Sequence, residues 1–353
     1  MIGDKTIPAG EPAPPGPTAD GTASAPESDA RAAAERRSRW TARFGQIGVP
    51  VVLVLLIVVF SLTATGFLSG SNVKTIFSDA AFPTIAAVGL TVCLVMGEFD
   101  LSLNGVAGLA TVLVAVLVAR EGVGTLPAIF ITLLGCGLMV GLLNGVLVGF
   151  LGLSALIVTI AVNSALIGLE YVISDTKQIF GGFPGGFVSF ARGEVGPAPV
   201  IVLLAIAIAF IIWATLEHTT LGRQLRAVGG NEEAARIAGV NTGRTKVWGF
   251  VICSLLVAVA GTLFAGKQTA AFPLSGLDIL LPSYAACFIG AAAFKVGEFS
   301  VPGTLIGVLI ATVTSNGLLL LGVANYATYL IQAGILLFAL LFARSVATRG
   351  SLV

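Results

Sequence analysis

Residues 219–246 read Thr-Thr-Leu-Gly-Arg-Gln-Leu-Arg-Ala-Val-Gly-Gly-Asn-Glu-Glu-Ala-Ala-Arg-Ile-Ala-Gly-Val-Asn-Thr-Gly-Arg-Thr-Lys, a polar run between two long apolar stretches and the only long internal break rich in charge. Asn231 offers a side-chain oxygen to the free N–H groups of a helix start, and Glu232 and Glu233 put negative charge in the first turn, where the helix dipole favours it. Gly239 supplies the left-handed stop, so the end signals enclose about two turns and the spacing predicts a short, self-capped helix. Its side chains are small: Ala234, Ala235 and Ala238, with Ile237, make a face that another protein's cleft can approach closely. The competing reading is a solvated loop with one helical turn.

The surroundings of that break decide the class. Of 353 residues, 56% are hydrophobic and 10% charged, and the mean hydropathy is +0.99, far outside the range of soluble domains. Windows of about 20 apolar residues, the length a helix needs to cross a bilayer, recur near 47–65, 80–97, 101–119, 127–149, 154–173, 198–216, 247–266, 279–294, 302–321 and 324–342. The expected fold is all-α, a polytopic transmembrane bundle of about ten spans in contact with lipid. Its expected parts are a disordered tail over 1–39, a membrane domain over 40–346 containing the 219–246 loop, and a short tail over 347–353. With both termini inside, and Lys5 left out as remote, thirteen Lys and Arg fall on the cytoplasmic side (Arg31, Arg36, Arg37, Arg39, Arg43, Arg223, Arg226, Arg236, Arg244, Lys246, Lys295, Arg344 and Arg349). Five fall outside (Lys74, Arg120, Lys177, Arg192 and Lys267), which favours that orientation and puts 219–246 in the cytoplasm. A net charge of +1 gives no case for a nucleic-acid partner.

Polar groups inside the apolar sequence are the next signal. Glu98 and Asp100 interrupt the second and third windows in Gly97-Glu-Phe-Asp-Leu-Ser-Leu-Asn-Gly105, and acids so close to a bilayer are costly unless they face water or partners. Ser102 and Asn104 either cap the following helix or join Asp100 on a solute pathway. Asn144, Asn163 and Glu170 are expected to turn inward as further pathway candidates. Gly137, Gly141, Gly145 and Gly149 recur every fourth residue and form a side-chain-free stripe suited to close helix packing. The last two windows carry Asn316, Asn325, Tyr326, Tyr329 and Gln332; interhelical hydrogen bonding accounts for most such groups, with Asn316 and Gln332 kept as pathway candidates.

Catalytic and cofactor chemistry is not written in this chain. Cys93, Cys136, Cys253 and Cys287 lie in apolar windows without metal-type spacing, and the single histidine, His218, stands at the edge of the polar break. Gly261-Thr-Leu-Phe-Ala-Gly-Lys267 fits the first seven positions of a phosphate-binding loop, but Gln268 follows where magnesium needs a hydroxyl, and the run ends a hydrophobic helix. Residues 174–197 read as the longest outer loop, with Phe183, Phe187 and Phe190 expected at its surface, for a delivery protein or for the membrane interface.

Three stretches carry a resemblance. Glu233-Ala234-Ala235-x-x-x-Gly239, within Gly229-x-Asn231-x-x-Ala234-Ala235-x-x-x-Gly239, resembles the coupling motif of membrane subunits of ATP-binding-cassette importers, in the ribose-type sugar permease branch that also includes branched-chain amino acid permeases. Gly97, Asp100, Leu101 and Ser102 match that branch's Gly-Gly-Ile-Asp-Leu-Ser-Val-Gly, while Glu98 and Asn104 depart from it. Residues 289–304 are similar to its glycine-rich link, keeping Gly290, Gly297, Ser300, Gly303 and Thr304 and replacing glycine at Ala291, Val296 and Phe299. The resemblance implies a permease for a monosaccharide or polyol whose residues 231–239 sit in a groove of a cytoplasmic ATPase. It further implies an extracytoplasmic solute-binding protein, a second permease copy or sister subunit, no cofactor on this chain, and ATP and Mg on the partner ATPase. The alternatives are an importer permease of the same fold for a branched-chain amino acid, a nucleoside or a furanone signal, and, more remotely, an ion-coupled carrier using Glu170.

Overall fold

Helix α1 occupies Gly48–Thr63 in a computed structural model that describes residues 48–291 and 298–324, together with 330, 331, 333, 334 and 337. The tails expected over 1–39 and 347–353, Lys295, Gln332 and most of the window near 324–342 lie outside the described residues. Helix α2 (Gly70–Val95) opens where the Asn72 N–H donates to Ser69 Oγ at 3.3 Å, ten residues before the apolar window begins. It is followed by α3 (Leu103–Ala115), extended by a π turn over Val116–Arg120. Next come α4 (Thr125–Thr132) and α5 (Val140–Gly149), joined by a π segment over Leu133–Met139 into one 25-residue rod, then α6 (Ala155–Ser174).

The stretch expected as an outer loop contains structure of its own. Its helix α7 (Gly185–Arg192) is flanked by the two-residue strands β1 (Ile179–Phe180), β2 (Glu194–Val195) and β3 (Ala198–Pro199). Phe187 is fully buried rather than at the surface, because α7 packs it against Gly266; Phe190 is exposed. Beyond lie α8 (Val200–His218), α9 (Thr220–Gly230), α10 (Glu232–Ile237) and α11 (Thr242–Gln268). Residues 261–267 are part of α11, so their amides are bonded within the helix and the phosphate-loop look-alike has none to offer.

Seven of the described helices are long and apolar enough to cross a membrane; α1 and α12 (Leu277–Ala291) are apolar but shorter. The brevity of α12 has a cause. After β4 (Ala270–Ala271), which pairs antiparallel with β1, the chain does not resume helix but descends into the bundle. There the Leu274 N–H donates to Glu170 Oε2 at 2.7 Å, and Gly276 lies against Asn104. Only then does α12 begin, running in step with the lower half of α2: Ser283 Oγ donates to the Pro83 carbonyl and the Cys287 thiol to the Ala87 carbonyl. Irregular backbone is tolerable at such depth because it is enclosed by protein. Helix α13 (Val301–Leu320), capped by Ser300, returns along α12, with Gly303 against Gly290 and Gly307 against Ala286.

Helices α2 and α11 form the centre. Nearly nine-tenths of the apolar window of α2 is buried (89%), against 28% for α6 and for α8, whose remaining faces are apolar and open. The glycine stripe explains one close contact: a Cβ at Gly137, Gly141, Gly145 or Gly149 would lie 2.6–3.0 Å from backbone atoms of Leu255, Val251, Val247 and Gly243 in turn. Four turns of the α4–α5 rod thus meet four turns of α11, antiparallel, backbone to backbone.

Candidate functional site

At one end of the bundle the polar break folds into two short helices. Thr219 Oγ1 accepts from the Gly222 N–H at 3.2 Å to start α9, and Asn231 Oδ1 accepts from the Ala234 N–H at 2.9 Å to start α10. Gly239 closes α10 with φ of +87°, its N–H and that of Val240 donating to the Arg236 and Ala235 carbonyls, both at 3.0 Å. The short helix expected over 231–239 is present; α9 was missed, although Thr219 with Leu221, Leu225 and Val228 carries the cap and the helical spacing.

Glu233, Ala234, Arg236 and Ala238 are exposed on α10, Glu233 pairs with Arg236 at 2.5 Å, and Ile237 is 80% exposed. Ala235 corrects the expected alanine face: it is buried, facing the protein and holding α10 down, so the free face is Ala234, Ala238 and Ile237. At the root of this segment a Cβ on Gly229 would collide with the Val95 carbonyl, which presses α9 onto the end of α2.

Immediately inward lies a buried polar cluster. The Asp100 carboxylate accepts from the Ser102 N–H at 2.9 Å and the Ser102 hydroxyl at 2.5 Å, while Tyr284 donates to the Asp100 carbonyl at 2.7 Å. Asn144 Nδ2 donates to Ser102 Oγ at 2.9 Å, so three of the expected pathway residues form one chain of hydrogen bonds. Burial pushes the Asp100 carboxyl above its ordinary range, against the Ser102 hydrogen bonds that pull it down.

The capping expected of Ser102 or Asn104 is supplied from elsewhere. Ser102 occupies the N-cap position of α3 without a side-chain cap. The start of α3 is instead satisfied from α6, with the Leu101 N–H donating to Thr159 Oγ1 at 3.1 Å and the Gly105 N–H to Asn163 Oδ1 at 2.8 Å. Thr159 and Asn163 are one helical turn apart, and that spacing is a cap only because tertiary packing brings α6 to α3.

The remaining candidates lie apart from this cluster. Glu170 is fully buried, one oxygen fixing the 272–276 descent and the other, like Asn104 Oδ1, Asn144 Oδ1 and Ser275 Oγ, meeting no hydrogen-bond partner among the described residues. Asn316 exchanges hydrogen bonds with Asn72 at 2.9 and 3.1 Å, joining α13 to the start of α2. Gln332 lies outside the described residues. Spacing in sequence gave no hint that Cys93, Cys253 and Asp100 would gather with ligand atoms within 4.8 Å of one another. Cys93 donates to the Gly249 carbonyl at 3.8 Å, and the group joins α2, the 96–102 turn and α11.

A family model for the permease component of branched-chain amino acid transport systems matches residues 72–340, nearly all of the helical part just described. The chain belongs to that permease family. It is 30% identical over 296 residues to the ribose import permease protein of Haemophilus influenzae, covering 82% of this chain and 90% of the relative. With the L-arabinose transport system permease protein of Escherichia coli K12 the identity is 32% over 308 residues, covering 85% and 90%. With the galactose/methyl galactoside import permease protein of Salmonella typhimurium LT2 it is 30% over 309 residues, covering 83% and 92%. The chain is therefore a multi-pass inner-membrane permease subunit of an ATP-binding-cassette importer and not an enzyme; ATP hydrolysis resides in a separate subunit.

Proposed function

We propose that this permease, paired with a second copy or a sister permease, forms the uptake pathway for a monosaccharide or related polyol and is driven through residues 231–239 by a cytoplasmic ATPase carrying ATP and Mg. A solute-binding protein delivers the cargo from the other side. About ten spans with both termini cytoplasmic fit the thirteen-to-five division of basic residues. The observation that carries the coupling assignment is α10 itself: a capped helix of six residues, held by buried Ala235 and presenting Ala234, Ala238 and Ile237 to a partner. An ATPase can bias a pathway only through contacts that differ between its states, and a protruding rigid helix offers such a contact.

Two variants test this. Gly239→Leu strains the left-handed closure of α10, and Glu233→Lys reverses a charge on its exposed face. In pull-downs both are expected to lose the ATPase while the permease remains folded, and solute uptake falls with the loss. ATPase capture and uptake equal to the parent would overturn the assignment.

The names of the three relatives favour a sugar, and the description of the family keeps a branched-chain amino acid as the second reading. Binding of radiolabelled pentoses, hexoses and leucine to the cognate solute-binding protein separates the two.

A further inference from the structure

We infer that Lys246 is a positioning residue that ties the ATPase-contacting segment to the buried Asp100 cluster, through an ion triad of Glu98, Lys246 and Glu232. Lys246 stands in the first turns of α11, and its ammonium is 2.7 Å from Glu98 Oε1 and 2.8 Å from Glu232 Oε2. Its side chain is only 9% exposed and that of Glu98 19%, whereas Glu232, in the first turn of α10, is 49% exposed. The triad thus runs from the surface inward. A partly buried cation between two carboxylates is screened far less than a surface pair, and removing one partner leaves the others poorly compensated.

What Glu98 is attached to gives the triad its consequence. Glu98 lies in the turn that ends at Asp100, and α11 seats this turn along a single stripe: Lys246 against Glu98, Gly249 against Met96, and Cys253 near Asp100. These three positions follow the three- and four-residue spacing of one helix face. Next to Glu98, Gly97 adopts φ of +81° and faces Gly229 at the end of α9, just before α10. From Asp100 the contacts continue to Ser102, Asn144 and Tyr284. Displacement of α10 therefore cannot leave the 96–100 turn in place without opening the triad.

This inference rests on the reading of 231–239 as the ATPase contact, and the two fail separately. The experiment uses the complete importer in proteoliposomes, with ATPase activity measured with and without the loaded binding protein. Lys246→Met and Glu98→Gln are expected to retain ATPase capture and basal hydrolysis while stimulation and uptake fall about fivefold or more, within the usual range of coupling between sites. Lys246→Arg, which keeps a cation between Glu98 and Glu232, is expected to retain the stimulation that Lys246→Met loses, with the melting temperatures of both near the parent value. Unchanged stimulation in Glu98→Gln, or losses in Lys246→Met and Glu98→Gln that merely follow a lower melting temperature and are not spared in Lys246→Arg, would overturn the positioning role. If Glu233→Lys and Gly239→Leu leave capture intact, the coupling assignment itself has failed, whatever the triad does.

Discussion

The α5–α11 seam and the α10 knob are both built from small residues, yet they use smallness in opposite ways. Along the seam Gly141 and Gly145 are small because the backbone of α11 is already there, at 2.6 Å from where each Cβ would stand. On α10 and at its C-cap, Ala234 and Ala238 are small where none of the described residues covers them, and none lies within 4 Å of a Cβ at Gly239. A small residue inside the bundle marks a contact that is made; one at the protruding end leaves room for a contact still to be made. Substitutions should therefore damage the protein differently in the two regions, folding in the first and partnership in the second.

The largest expected effect tests the seam. Gly141→Leu forces a side chain onto the backbone of Val251 and Phe250, and overpacking of this kind costs about 3 kcal/mol. The yield of folded, detergent-stable permease should collapse; a normal yield would mean that the two helices can separate, and the comparison would break.

A smaller effect is expected at the knob. Asn231→Ala removes the oxygen that receives the Ala234 N–H, a loss of about 1 kcal/mol confined to the local helix. Global melting should stay near the parent value, while hydrogen exchange at Ala234 and its neighbours rises and ATPase affinity weakens. Loss of global stability would make α10 part of the folded core instead of an appendage.

The smallest effect on stability belongs to Glu233→Ala. Its ion pair with Arg236 is exposed on both sides, and such pairs contribute almost nothing measurable. No resolvable change in Tm is expected, together with reduced ATPase capture. That combination would sharpen the contrast, since the function of the residue would then reside wholly in what it presents to a partner.

How much of this could be read in the chain follows from the range of the forces involved. Apolar windows placed most spans because lipid imposes its length on each helix separately, and the short α10 was legible because Asn231, the two glutamates and Gly239 act on their near neighbours. The stripe of Gly137, Gly141, Gly145 and Gly149 announced a close approach, though not that α11 is what approaches. Phe187 and Ala235 share one difficulty: nothing in the adjacent sequence says which way either side chain turns, and only packing, for Phe187 against Gly266 of α11, buries them.

By itself, then, the sequence determined a membrane-embedded helical chain with one charged break and a capped helix inside it, because composition, helical period and end-capping are properties of adjacent residues. The tertiary structure alone decided that Thr159 and Asn163 satisfy the start of α3, that α12 begins deep in the bundle after the 272–276 descent, and that Lys246 meets Glu98 and Glu232 together. Each of these depends on groups far apart in the chain meeting within hydrogen-bonding distance, and a polar side chain in an apolar window records that it needs a partner without recording which one.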